Sequence, residues 1–233
     1  MFSRYKGKLL CFSPPVMLAT FLFEFGAAFY TVWRYKMTTV TRLAFVTLLA
    51  LGTFQLAEYM ICGGLGWTHV EWARLGYGAI TLLPAFGIHM VVTLAGKKLP
   101  LLVGFAYLSC ATFLTFFLFF DGSVTSQACY ANYAVFNTHN ASGWPYAYYY
   151  YGWLLVGTIL ASRWSKQLPK RKKALTGMAV GYLVFILPTT FFNIIDPSTV
   201  QGIPSIMCGF AVLFALTLVF RVLPKSVKKR QSA

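Results

Sequence analysis

The sequence predicts an all-α integral membrane protein, a single domain over residues 1–233 built as a seven-transmembrane-helix bundle. Three observations lead there. Hydrophobic residues make up 58% of the chain and charged residues 11%, against about 45–50% and about 25% in soluble domains. The mean hydropathy is +0.65. Apolar runs recur between short polar or basic breaks, each near the roughly 20 residues of helix that cross a hydrocarbon core of about 30 Å.

The first run, residues 14–33, follows a segment with Arg4, Lys6 and Lys8 and is interrupted only by Glu24. It is longer than the apolar core of a signal peptide and lacks a small-x-small cleavage site, so it counts as a span. Were it cleaved, six spans would remain. The second run, residues 41–62, is closed by Gly63-Gly-Leu-Gly66. The third, 72–96, stops at Lys97-Lys98, and the fourth, 99–120, at the turn signal Asp121-Gly122. Ser123–Pro145 is polar, holds no Lys or Arg, and is expected to be the longest loop. The fifth run, 146–164, opens with Tyr148–Tyr151, an expected aromatic interface belt. Lys166, Lys170, Arg171, Lys172 and Lys173 separate it from the sixth run, 174–195, which ends at Asp196-Pro197. The seventh, 203–223, leads into a tail with Lys225, Lys228, Lys229 and Arg230.

Basic residues crowd the loops after the first, third and fifth runs and the tail. Because Lys and Arg are retained in the cytoplasm, the expected orientation in the cell membrane is amino terminus outside, carboxyl terminus inside. The basic residues before the first run argue the other way and are outvoted. The net charge of +15 then implies a partner in anionic inner-leaflet lipids. Nucleic acid is not an expected partner, since no separate folded domain would present a basic face to it.

A carboxylate inside an apolar span is costly enough to require a reason. The chain has 5 acidic residues, and two of them, Glu24 and Glu58, fall within spans. At about 1.5 Å per residue, Glu58 lies about 6 Å and Gln55 about 10 Å below the outer end of the second span, with Ser205 and Cys208 within about 8 Å of the same surface. Asn193 sits near the outer end of the sixth span. Gln55, Glu58 and Cys62 share one helical face. The expectation is an outward-opening polar pocket walled by Gln55, Glu58, Asn193, Ser205 and Cys208; equally, Glu58 can serve as structural glue between helices. Glu24, near the midplane, and His89, in the inner half of the third span, lie on stripes of small residues that mark close helix packing. Glu24, Glu58 and His89 are the candidates for handling protons or cations, with structural pairing of Glu24 and a satisfied buried histidine as their alternatives. Pro84 and Pro188 interrupt the third and sixth spans, each an ordinary kink or a cavity wall.

Cysteine spacing gives no structural metal site. Cys11, Cys62 and Cys129 all fall on the expected outer side, where one disulfide or free thiols are open alternatives. Asn140-Ala-Ser142 is a glycosylation sequon on that side. No paired carboxylates, HExxH, or Ser-His set at workable spacing appears, so no catalytic residue, cofactor or enzymatic activity is expected. The last span has no lysine for a retinal Schiff base and no Asn-Pro-x-x-Tyr, and no Asp-Arg-Tyr ends the third, which argues against rhodopsin-like and ordinary G-protein-coupled receptors.

Cys11-Phe-Ser13, Gln55-x-x-Glu58 and Pro204-Ser-Ile-Met-Cys208 together resemble a poorly characterised prokaryotic family of small multi-pass membrane proteins with an N-terminal Cys-Phe-Ser or Cys-Trp-Ser motif. The third span, with Trp72-Ala-Arg-Leu-Gly-Tyr77, Pro84 and Thr93-Leu-Ala-Gly96, is similar to the seven-helix sensor region at the front of some histidine kinases. The Cys-Phe-Ser motif here follows ten extra residues, and no kinase follows the last span. The resemblance implies a sensor-like bundle that signals through a separate cytoplasmic partner. The competing expectation is a proton- or cation-coupled transporter or channel using Glu24, Glu58 and His89; no internal repeat of the kind many transporters show is visible.

Overall fold

A computed structural model describes residues 14–63, 69–129, 134–138, 143–196 and 202–230. Cys11, Gly64–Gly66, His139 and the Asn140 sequon lie outside the described residues. The elements are α1 (Pro14–Arg34), α2 (Thr39–Gly63), α3 (His69–Ala95), α4 (Pro100–Phe119), β1 (Val124–Cys129), β2 (Ala134–Thr138), α5 (Gly143–Gln167), α6 (Lys172–Ile195), α7 (Ile203–Thr217) and α8 (Leu223–Ser226). The result is a helical membrane-type bundle. Six of its long helices, all except α5, are long and apolar enough to cross a membrane.

The distribution of side chains is the reverse of a soluble protein's. Leu101, Phe105, Leu108 and Phe119 of α4 face outward and are exposed, as are Leu22, Phe29 and Trp33 of α1, while Glu24 and Glu58 are buried. An apolar exterior of this extent is a surface for hydrocarbon. On α1 the buried set Met17, Glu24, Ala27, Ala28 and Thr31 recurs at helical spacing and forms one stripe.

Small residues set how closely the helices approach. A methyl group at Gly52 of α2 would stand 2.5 Å from the Phe25 ring and 3.5 Å from Cβ of Glu24, so α1 crosses α2 at Gly52 with Glu24 held against it. At Gly87 of α3 it would collide with the Tyr182 hydroxyl, which fixes α6 against α3. The hydroxyls of Thr31, Thr53 and Thr189 satisfy themselves on carbonyls one turn back in their own helices.

Three features differ from the expectations. The segment after α4 is not a plain loop: β1 and β2 pair antiparallel, with an irregularity between Val124 and Ser126. Val124 and Val135 are buried, giving the hairpin an apolar anchor, and the Ser123 hydroxyl donates to the Phe117 carbonyl. Second, the tyrosines of α5 do not all form an interface belt. The helix begins at Gly143, so they lie one to two turns inside it; Tyr148 is exposed, but Tyr146, Tyr149 and Tyr150 are buried. Their polar ends find partners next to the Pro84 interruption of α3: the Tyr149 hydroxyl donates to the Thr81 carbonyl at 2.6 Å, and the Tyr146 and Thr81 hydroxyls are paired at 3.1 Å. Third, the last helix does not stop at Leu223. It passes through a π-turn, Leu218–Val222, into α8, which carries Pro224. The wider turn makes room for a proline ring that would clash in an unbroken α-helix.

The bundle's two ends are chemically opposite. At one end a disulfide joins Cys62 of α2 to Cys129 of β1, and Arg74 pairs with Asp121 at 2.8 Å. At the other, the tail is strapped to the α1–α2 link: the Lys36 amide donates to the Lys228 carbonyl and the Arg230 amide to the Arg34 carbonyl.

The α1–α2 crossing is testable through a glycine pair. Gly52→Ala should cost about 1–3 kcal/mol through overpacking. Gly26→Ala, with nothing within 4 Å of the added methyl, should be neutral or stabilise by up to about 1 kcal/mol. Thermal unfolding of the two variants in detergent compares them; equal effects would mean that Gly52 does not set the crossing.

Candidate functional site

The site is built mainly on one face of α2. Thr47, Leu51, Gln55, Glu58 and Cys62 follow steps of four, four, three and four residues, which line up on a helix. That face is enclosed by α1 and α7. Relative exposure is 0% for Glu24, 2% for Gln55, 1% for Glu58, 1% for Ser205 and 2% for Cys208. The expected outward-opening pocket is therefore closed over these residues. Asn193 is half-exposed near the end of α6 and has interactions of its own.

Within the enclosure, Ser205 at the start of α7 hydrogen-bonds the Glu58 carboxylate. Glu24 and Glu58 lie within electrostatic range of each other, and the Cys208 thiol lies within range of both. Their hydrogen-bonding capacity is largely unused. Both carboxylate oxygens of Glu24, Oε1 of Glu58, Nε2 of Gln55 and the Thr47 hydroxyl are buried without a partner. The Arg74–Asp121 ion pair is elsewhere and exposed on its Asp121 side. Beside Cys208 a small cavity of about 20 Å³, walled by Leu51, Tyr150, Tyr182 and Met207 among others, has room for about one water.

Two carboxylates in one apolar enclosure cannot both carry charge without a compensating cation, because an unpaired buried charge costs several kcal/mol or more. The arrangement has the chemistry to take up protons or a small cation. Among the described residues no group of three or more His, Cys, Asp and Glu is placed to hold a metal ion, so a coordinated transition metal finds no ligand set here.

His89 is not part of this enclosure. It is half-buried, and its Nδ1 is 3.0 Å from the Tyr107 hydroxyl of α4. On α3, residues 76 and 87 share the face toward α2 and α6, whereas 78 and 89 lie nearly opposite, toward α4. The three ionisable candidates thus divide into a carboxylate pair between α1 and α2 and a separate histidine–tyrosine pair.

Glu58, Ser205, Cys208 and Glu24 lie together, and Gln55 shares the α2 face that carries Glu58. Thr47 was not anticipated. A buried threonine usually bonds its own helix backbone, and only its position on the same face about two helical turns below Gln55 marks it. The Thr81–Tyr146–Tyr149 network was also not anticipated, because a tyrosine run near a span end reads as an interface belt. Comparison with protein-family models, curated proteins and solved structures returns no match for the chain.

Removing Glu24 should separate function from stability. Glu24→Met takes an unpaired polar group out of the interior and should leave thermal stability unchanged or raised. Ser205→Ala deprives Glu58 of its donor and should cost about 1–3 kcal/mol. If Glu24→Met instead destabilises as much as Ser205→Ala, Glu24 is a structural group.

Proposed function

We propose that this chain is a seven-helix sensor of the cell membrane, with α5 as the seventh span, its amino end outside and its carboxyl end in the cytoplasm. A proton or small cation loads the Glu24–Glu58 enclosure from the outer side. The resulting repacking of α1, α2 and α7 passes to a separate cytoplasmic partner at the basic end. The observation that carries this is the carboxylate pair: three of its four oxygens are buried without a partner. Such a site favours whichever packing suits its loaded or unloaded state, which is the differential affinity a switch requires.

Other features support the reading. At 25 residues α5 extends about 37 Å, enough to cross a hydrocarbon core despite its tyrosines. The Cys62–Cys129 disulfide belongs in an oxidising compartment, on the side that charge asymmetry marks as outer. On the inner side of Glu24 the α1 stripe continues through Ala27, Ala28 and Thr31, and the Thr31 hydroxyl is committed to the Ala27 carbonyl. His89 lies on the far face of α3. A buried carboxylate pair with the histidine on a different helix face suits binding better than transport, and it agrees with the sensor region implied by the resemblance of the third span.

Reconstitution separates sensor from transporter. The sensor predicts no proton or monovalent-cation flux into proteoliposomes. It also predicts thermal stability that changes with pH or monovalent cation in wild type, and not in the Glu24→Gln, Glu58→Gln double variant; about 1 kcal/mol of linkage moves the midpoint by about 2–4 °C at this size. Flux that the double variant abolishes would instead make the protein a coupled transporter.

A further inference from the structure

The end of the bundle opposite the disulfide carries every Lys and Arg of the chain except Arg4, Lys6, Lys8 and Arg74, and none of its acidic residues. Within that basic face is a cavity of about 280 Å³, where the start of α2, the end of α3, the turn before α6 and α8 meet. Lys170, Arg171 and Lys225 line it, over a floor that includes Val40, Leu94 and Ala174. The Thr93 and Ser226 hydroxyls on its wall donate to the His89 and Val222 carbonyls, leaving their oxygens to the cavity only as acceptors. Its donors are therefore the three cations, to which the amino end of α6 adds the positive end of a 24-residue helix without a side-chain cap.

Arg171 is held in place by the fold. One guanidinium nitrogen of Arg171 donates to the Leu94 carbonyl at 3.0 Å. The group lies over Gly96, where the backbone is left-handed (φ +61°) and any Cβ would collide with the guanidinium. Lys225 is carried on α8, and the strap from residues 228–230 to residues 34–36 fixes the chain that follows. Three cations from two separate stretches of sequence converge with no carboxylate to neutralise them.

We infer that this cavity binds a phosphate-bearing anion, either a lipid headgroup ending in a phosphate monoester or a small free phosphate compound. Three cations around one opening, one of them held in place, match a dianionic phosphate, which accepts charge-assisted hydrogen bonds on several oxygens. The volume falls at the lower end of the roughly 300–1,000 Å³ of small-molecule sites, so it admits a phosphate with little more than a small alcohol attached. This is a discrete site, beyond the diffuse attraction of a basic face for anionic lipid, and it does not depend on the carboxylate pair.

The test uses the full chain in neutral detergent at constant ionic strength. Binding of inorganic phosphate and of short-chain phosphatidic acid is read from thermal stabilisation, with short-chain phosphatidylcholine as control. Lys170→Gln with Lys225→Gln removes two lining charges and leaves Arg171 on Leu94. Lys172→Gln with Lys173→Gln removes the same charge from the same region outside the cavity. The expected result is stabilisation by at least one phosphate probe, weakened about tenfold or more by the first pair, as the loss of charge-assisted bonds implies, and little changed by the second. Phosphatidic acid binding more tightly than inorganic phosphate identifies a lipid headgroup; equal binding identifies a free phosphate. Equal weakening by the two pairs, or no stabilisation by either probe beyond that of sodium chloride, would overturn the site.

Discussion

Enclosing two carboxylates in an apolar interior is the constraint on which the rest of this structure depends. Glu24 reaches the enclosure because Gly52 lets α1 lie directly on α2. Glu58 finds its donor because α7 begins at the level that brings Ser205 to it. The disulfide from Cys62 sits one helical turn beyond Glu58 on the same face and ties that end of α2 to the hairpin. Each is a packing decision that a purely apolar bundle would not need, and each tightens the surroundings of groups that oppose burial. A membrane protein tolerates such groups when its function uses the resulting bias between states.

The segregation of charge follows the same logic at the scale of the whole molecule. Acidic groups occupy the interior or the disulfide end, where Asp121 meets Arg74. Cations occupy the opposite end, without acidic neighbours. A field of one sign at one end orients the bundle in a bilayer and draws anions to that face. The tail strap and the Arg171–Leu94 bond then turn part of that field into fixed geometry. The carboxylate enclosure and the cationic cavity lie at different depths but share elements: α2 contributes to both, and α7 continues into the helix that carries Lys225.

Most of the helical architecture was legible in the sequence because span length and apolarity are imposed by the bilayer and need no tertiary context. The ends of α1, α2, α4 and α6 fall within about two residues of expectation, within the usual scatter of helix boundaries. Misreadings arose where a residue's role depends on what faces it. Val124 and Val135 anchor a hairpin that a polar segment disguised, and Tyr146 and Tyr149 turn inward because α3 presents Thr81 to them. Pro224 resides in a helix because a π-turn precedes it, and no local pattern announces a π-turn. Of the site, Gln55, Glu58, Ser205 and Cys208 were legible as polar groups at one depth. Their closure was not, because depth along a helix says nothing about the neighbour covering it. His89 shared their polarity but faces α4, a difference of helical phase that only the packing of α3 resolves.

In the proposed sensor, Glu24 and Glu58 form one loadable site. Infrared difference spectroscopy of the reconstituted protein, switching pH or monovalent cation, tests it most directly because it reads carboxyl groups themselves. The expected result is a carboxyl C=O band change that Glu24→Gln and Glu58→Gln each alter and together abolish, and that Asp121→Asn leaves intact. A difference spectrum in which no carboxyl band responds to either glutamate substitution would contradict it.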